Sequence, residues 1–343
     1  MNRLVLAVLA ALIGIGGAKA QTPPAIPPIN RGPIIAPAAA LETLFTEGFW
    51  LEGPTAGPDG RIYFSDVTMT FRTGNAAGNI WVYDPASGRT SLFRSPSGMA
   101  NGIKFDASGG MVVAQGADFG GRAIIRIDMA TGRAKILAGL YKGRPFNAPN
   151  DLDIDGQGRI YFTDPRYFGH EPIEQPVNGV YRIDPDGSVR LVLADITRPN
   201  GIALSPDGRR LYVAEHDFLV ADRRIDPVPQ RNGAMHILVY DLGADGMPVN
   251  RRVLVDFGAE QGADGLAVDS AGNIYAAVQA ASRFGVRVYD PEGREIAYVP
   301  TPTRPTNVAL ATSGGRSHLY VTGGPNLYRI EALSRPRQAV VRP

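Results

Sequence analysis

The 343-residue chain carries 35 Lys plus Arg against 33 Asp plus Glu and contains no cysteine. Arg3 and Lys19 lie in an N-terminal leader that has no acidic residue, so the remainder is balanced at 33 of each sign. That balance gives no electrostatic case for nucleic acid or an anionic membrane as a partner, and the lack of thiols excludes disulfides and soft metal sites.

The chain begins MNRLVLAVLAALIGIGGAKA. The apolar run from Leu4 to Ile15 is shorter than the roughly 20 residues a bilayer span needs, and Ala18-Lys19-Ala20 has the small-residue form of a cleavage site. Residues 1–20 therefore read as a signal peptide cleaved after Ala20, with no cysteine behind it to carry a lipid, and a periplasmic or secreted protein is expected. Residues 21–39 are dense in proline and read as an extended tether. A single domain then runs over residues 40–343, about 300 residues, enough to bury roughly three quarters of the unfolded surface without covalent staples.

Within that domain one clause recurs six times: a short apolar run, a turn on Asp-Gly or an equivalent glycine, and a second run rich in Tyr and Val. Its copies are TAGPDGRIYFSD (55–66), GIKFDASGGMVVA (102–114), DLDIDGQGRIYFTD (151–164), GIALSPDGRRLYVAE (201–215), GLAVDSAGNIYAA (265–277) and NVALATSGGRSHLYVT (307–322). The turn glycines Gly60, Gly109, Gly158, Gly208, Gly272 and Gly315 are 49, 49, 50, 64 and 43 positions apart. Each clause predicts a β-hairpin, and six at this period predict a radial array. A third strand follows every hairpin, and a fourth follows in all but the last. The strand-like segment from Leu41 to Glu47 precedes the first full copy and can complete the sixth. The fold expected is an all-β, six-bladed β-propeller closed by its N-terminal strand.

Eight positions before each turn glycine stand Glu52, Asn101, Asn150, Asn200, Asp264 and Asn307. Every one carries a side-chain oxygen able to ligate a cation or accept a hydrogen bond. In a propeller the first strand of each blade is innermost, so these six residues crowd one mouth of the central channel while the Asp-Gly turns fall at the other. A repeat that served only the fold would need the turn and the apolar alternation but not the oxygen; single Asn or Asp residues here could equally form Asx turns. Two acids with several carboxamides suit one hard divalent cation, Ca2+ first, with Zn2+, Mg2+ or Mn2+ as alternatives. Zinc would favour histidine, and none of the four histidines holds a ring position. The longest loops return to the same mouth, where a substrate pocket belongs.

The segments Asn147-Ala-Pro-Asn-Asp-Leu, Gly-Arg-Ile-Tyr-Phe-Thr-Asp-Pro-Arg-Tyr-Phe-Gly (158–169), Arg-Pro-Asn200-Gly-Ile-Ala-Leu-Ser-Pro-Asp-Gly and Gly-Ala-Asp264-Gly-Leu-Ala-Val-Asp resemble the gluconolactonase and senescence-marker-protein (regucalcin-like) family. Glu52-Gly-Pro and Met99-Ala-Asn101-Gly are similar to its exported bacterial gluconolactonase branch. The resemblance implies a divalent ion held by Glu52, Asn150, Asn200 and Asp264, and hydrolysis of a lactone, a sugar lactone first. Asp264 is then the candidate base that activates water, with direct nucleophile and ligand alone as the alternatives. Asn101, Asp151, Arg166, Tyr167, His216 and Asn307 are candidate substrate contacts, with His170 in the same loop as Arg166, and Phe71, Phe218 and Phe284 are candidate aromatic walls. One departure stands out: many relatives end the second strand of blade two in Glu-His, whereas this chain has Ala114-Gln115 there and Glu215-His216 in blade four. Two other readings fit the same residues: phosphotriester or aryl-ester hydrolysis at the same ion, and a non-catalytic binding propeller stabilised by it. A small-molecule lactone is the expected partner, with the chain a monomer or weak homo-oligomer.

Overall fold

Each of the six repeated clauses forms an antiparallel hairpin in the computed structural model, which describes residues 29–74, 77–218 and 233–337. The six turn glycines all take positive φ, from 65° to 89°, the left-handed conformation that a side chain disfavours and that closes these tight turns. Third and fourth strands add outward in sequence order, giving six four-stranded sheets, one of which gains a fifth strand. The innermost strands are Leu51–Ala56, Ala100–Phe105, Leu152–Ile154, Pro199–Leu204, Ala263–Val268 and Asn307–Ser313. Each touches the next, and the sixth returns to the first, so the ring of a six-bladed propeller is closed. The closing strand is Glu42–Phe45, paired antiparallel with Asn326–Ala332 as the fourth strand of blade six.

The core lies between blades rather than within one layer. Apolar clusters fill all six blade interfaces, from Tyr63 with Ile103 and Val113 between blades one and two to Leu51 with Tyr320 and Leu327 between blades six and one. The tyrosine of the recurring second strand (Tyr63, Tyr161, Tyr212, Tyr275, Tyr320) is essentially fully buried in five blades. At that depth its ring contributes on the order of 2–3 kcal/mol through apolar burial. Three of these hydroxyls keep partners in turns: Tyr63 to Asp59, Tyr161 to the Gly246 carbonyl and Tyr275 to Asp269.

One segment departs from the expectation drawn from composition. Residues 29–39 are not a free tether. Ile29–Asn30 adds a fifth strand to blade five by pairing with Tyr298 and Ala297, and Ile34 and Ile35 are buried between blades five and six. The proline density hid three isoleucines that the exposed edge and groove take up. At the opposite terminus the chain crosses the turn face: Ser270 N–H donates to the Arg335 carbonyl, Asp269 bridges Pro336, and Arg337 donates to Asp153 Oδ1 at 2.5 Å. Residues 1–28, and with them the whole leader and the first part of the proline-rich stretch, lie outside the described residues. No helix among the described residues is long and apolar enough to cross a membrane.

Candidate metal centre and active site

The ring residues are fixed by a device that recurs from blade to blade. The second strand of blades one to four carries a polar residue at or next to its end (Asp66, Gln115, Asp164, Glu215), and each turns back to hold the segment leading into its own innermost strand. Asp66 accepts from the N–H groups of Phe49 and Trp50, just ahead of Glu52, both at 2.9 Å. Gln115 donates to the Ser97 carbonyl ahead of Asn101 at 2.7 Å. Asp164 accepts from Asn147 and Ala148 ahead of Asn150 at 2.9 and 2.7 Å, and Glu215 accepts from Thr197 ahead of Asn200 at 2.9 Å. Three of the four anchors are carboxyls; burial raises that of Asp164 to about 7 against the pull of its two backbone donors, Asn147 and Ala148. The Ala114-Gln115 departure thus has an architectural role in this chain.

Neighbouring blades are stitched together at the same level. Ser65 donates to the Asn101 carbonyl (2.7 Å), Gly102 N–H to the Asn150 carbonyl (2.7 Å), Thr163 to the Asn200 carbonyl (2.7 Å), Gly265 N–H to the Thr306 carbonyl (2.8 Å), and Thr306 to the Leu51 carbonyl (2.5 Å). The glycine after four of the ring residues is a consequence of this closeness. A Cβ on Gly201 would stand 2.4 Å from the Asp264 carbonyl oxygen, and one on Gly53 2.2 Å from that of Asn101. In blade three this position is Asp151, whose carboxylate enters the hub instead.

Glu52, Asp151 and Asp264 are all buried at the channel mouth. Burial pushes the Glu52 carboxyl well above its usual range, and the negative charges of Asp264 and then Asp151 push it further. Asp264 is raised by burial first and by Asp151 second, while a hydrogen bond with Asn200 opposes the shift. Asp151 is raised by burial, against the pull of Lys104. Asn307 donates toward Asp151 at 3.5 Å and also favours the charged form of Glu52. Gln279, not anticipated from the sequence, donates to Asp264 Oδ2 at 2.6 Å and to the Pro305 carbonyl. Asn101 Oδ1 is buried with no hydrogen-bond partner. Desolvated like charges beside an unpartnered carboxamide oxygen are what a hard cation stabilises. Among the described residues no group of three or more His, Cys, Asp or Glu side chains forms a ligand set, so a site here must draw on the carboxamides of Asn150 and Asn200.

The candidate substrate contacts separate into two groups. Asn101, Asn150 and the ring of Tyr167 line a cleft beside the hub, together with Val67, Met99 and Phe168. The Tyr167 hydroxyl is taken up: it accepts from Asn200 Nδ2 at 3.0 Å and donates to the His216 carbonyl at 2.9 Å. His216 is buried beside it; burial followed by the Arg198 charge pushes its imidazole down to about 4, opposed by a weak approach to the Ala263 backbone. Arg166, expected to read substrate, is instead a buried loop brace whose guanidinium donates to the Asn147 carbonyl (2.7 Å) and to Glu171. His170 lies outside the hub, 3.1 Å from the buried carboxylate of Asp118. Asp118 also accepts from Thr70 N–H and hydroxyl at 2.5 and 2.8 Å, and Glu171 accepts from the N–H groups of Asp118 and Phe119. This clasp ties the mouth loops of blades one, two and three, and no local pattern announced it. The apolar wall is built from Val67, Met69 and Met99 packed with Phe49, Trp50 and Phe168. Phe218 and Phe284 are not among the cleft-lining residues, and the side chain of Phe71 lies outside what is described.

Buried acids and carboxamides at the inner strands of a propeller, beside an apolar wall carried on loops, define the candidate site. The model of the SMP-30/Gluconolactonase/LRE-like region matches residues 50–324, and the chain belongs to that family. A gluconolactonase of Zymomonas mobilis is 31% identical over 324 residues, covering 87% of this chain and 82% of its own. The solved gluconolactonase of Xanthomonas campestris superposes with a TM-score of 0.71 at 28% identity, over 90% of this chain and 98% of its own. A calcium-binding protein, regucalcin, from Agrobacterium tumefaciens shares the fold with a TM-score of 0.66 at 22% identity, over 89% and 98% of the two chains.

Proposed function

We infer that this protein is a lactonase acting through one divalent cation at the hub, with Glu52, Asn150, Asn200 and Asp264 as its ligands and Ca2+ as its first choice. The observation that carries the reading is the burial of Glu52, Asp151 and Asp264 in one desolvated cluster, each carboxyl raised above its ordinary range. The gluconolactonase relatives and the calcium-binding neighbour support it. When bound, the cation supplies Lewis-acid polarisation of the lactone carbonyl and countercharge for the oxyanion that follows, worth several kcal/mol.

Asp264 is the group to take a proton from the attacking water. In the cation-free protein burial and then the Asp151 charge raise its carboxyl above the ordinary carboxylate value. Gln279 fixes one carboxylate oxygen, which holds the base in place as it gains and loses the proton. Asn101 and Asn307 flank the hub with carboxamides that can orient the substrate or a bridging water. The walls over the mouth exclude bulk water from the reacting centre. The leader is proposed to direct the chain to the periplasm or medium.

The test is turnover after chelation. Stripped protein should lose hydrolysis of lactones and regain it on adding Ca2+, Mg2+, Mn2+ or Zn2+. Asp264→Asn should lower kcat at least a hundredfold while keeping cation-dependent thermal stabilisation. Full activity in the chelated protein would remove the metal reading, and equal loss of both properties in Asp264→Asn would reduce Asp264 to a ligand.

A further inference from the structure

We propose that the lactone this chain takes carries an apolar alkyl or aryl substituent, and that the walls of blades one to three select for it. The inference rests on the lactonase reading above and deepens it.

The cleft beside the hub is lined by a few polar side chains, Asn101, Asn150 and Tyr167, and by the apolar Val67, Met99, Ala117, Pro149 and Phe168. Val67 and Met99 belong to a packed apolar cluster that includes Met69 and is backed by Phe49 and Trp50, so the wall is a built surface and not a scatter of single residues. The side chains around it that could read hydroxyls are already held by the protein. Arg166 donates to the Asn147 carbonyl and to Glu171, and Arg122 to the Phe146 carbonyl at 2.6 Å. Gln115 donates to the Ser97 carbonyl, His170 lies on Asp118 and Thr70, and the Tyr167 hydroxyl is shared between Asn200 and the His216 carbonyl.

An aldonolactone carries several hydroxyls, each needing a partner once it leaves water. Among the described residues this cleft meets them with those few polar side chains and is otherwise apolar. A lactone whose ring sits on Asn101 and Asn150 and whose substituent lies along Met99 and Phe168 satisfies both surfaces. Each methylene buried there should improve binding about fourfold.

The experiment compares kcat/KM of the Ca2+-loaded protein on δ-valerolactone, on δ-lactones bearing propyl and pentyl chains at the ring carbon next to oxygen, and on glucono-δ-lactone. We expect kcat/KM to rise at least tenfold from the unsubstituted to the pentyl lactone, mainly through KM, and to exceed that on glucono-δ-lactone. Phe168→Ala should flatten the rise. The chain-length series in the unaltered protein decides the matter even if that variant folds poorly. A flat or falling series, with glucono-δ-lactone preferred, overturns the inference and leaves the lactonase reading intact. Failure to turn over any of these lactones with Ca2+, Mg2+, Mn2+ or Zn2+ overturns the lactonase reading itself.

Discussion

His216 shows how a single residue records the dryness of the channel mouth. Its imidazole is pushed down to about 4 by burial and by Arg198, so the folded protein holds it neutral while the unfolded chain takes up a proton near 6.5. A base depressed on folding contributes stability that is present above its unfolded value and is lost as pH falls through its folded value. The window is therefore pH 6.5 down to about 4, and the loss at pH 4 is on the order of 3 kcal/mol. In denaturant titrations, the stability advantage of the unaltered protein over His216→Gln should shrink by that order between pH 7 and pH 4. Parallel pH profiles would show that His216 is solvated. The hub acids have the opposite sign: Glu52, Asp151 and Asp264 are raised on folding, so the cation-free protein loses their contribution as pH rises from the ordinary carboxylate range through the higher folded values.

At the scale of elements, what is local in the chain was legible and what is distant was not. The hairpins, the turn glycines and the oxygen at each strand start follow from spacing alone, because each is decided within about a dozen residues. The polar residue ending the second strand in four copies was also visible, and its regularity could have signalled the ties that position Glu52, Asn101, Asn150 and Asn200. The Asp118 clasp was not, since Thr70 and His170 lie 48 and 52 residues from Asp118 in opposite directions. Arg166 shows the same limit: an arginine beside a pocket reads as a substrate contact until the groups that take its guanidinium, the Asn147 carbonyl and Glu171, are in view. Asp118→Asn can keep its oxygen on the Thr70 N–H and turn its amide toward the Thr70 hydroxyl, but it replaces a charged acceptor by a neutral one in the bonds it takes from Thr70, a loss of about 1 kcal/mol. It should raise KM for lactone several-fold with a smaller change in kcat and lower the melting temperature. Unchanged KM and melting temperature would show that the mouth loops hold their positions without the clasp.

For the whole molecule, ring closure is the feature on which stability depends most. Residues 29–45 supply the fourth strand of blade six, a fifth strand on blade five and the buried Ile34 and Ile35 between them. Removing residues 1–46 would bare the Asn326–Ala332 edge and lose on the order of 5 kcal/mol of apolar burial, about 10 °C in melting temperature for a domain of this size. An unpaired edge of that length should also drive association, so the truncated protein should run as aggregate by light scattering; a monomer of unchanged melting temperature would contradict this. The proposed site requires the closed ring to bring two acids and two carboxamides toward one point. Anomalous scattering from crystals soaked in Mn2+ tests that convergence most directly. The account predicts one dominant peak at the channel mouth, about 2.0–2.6 Å from oxygens of Glu52, Asn150, Asn200 and Asp264; a loaded, active protein whose only peaks lie elsewhere would contradict it.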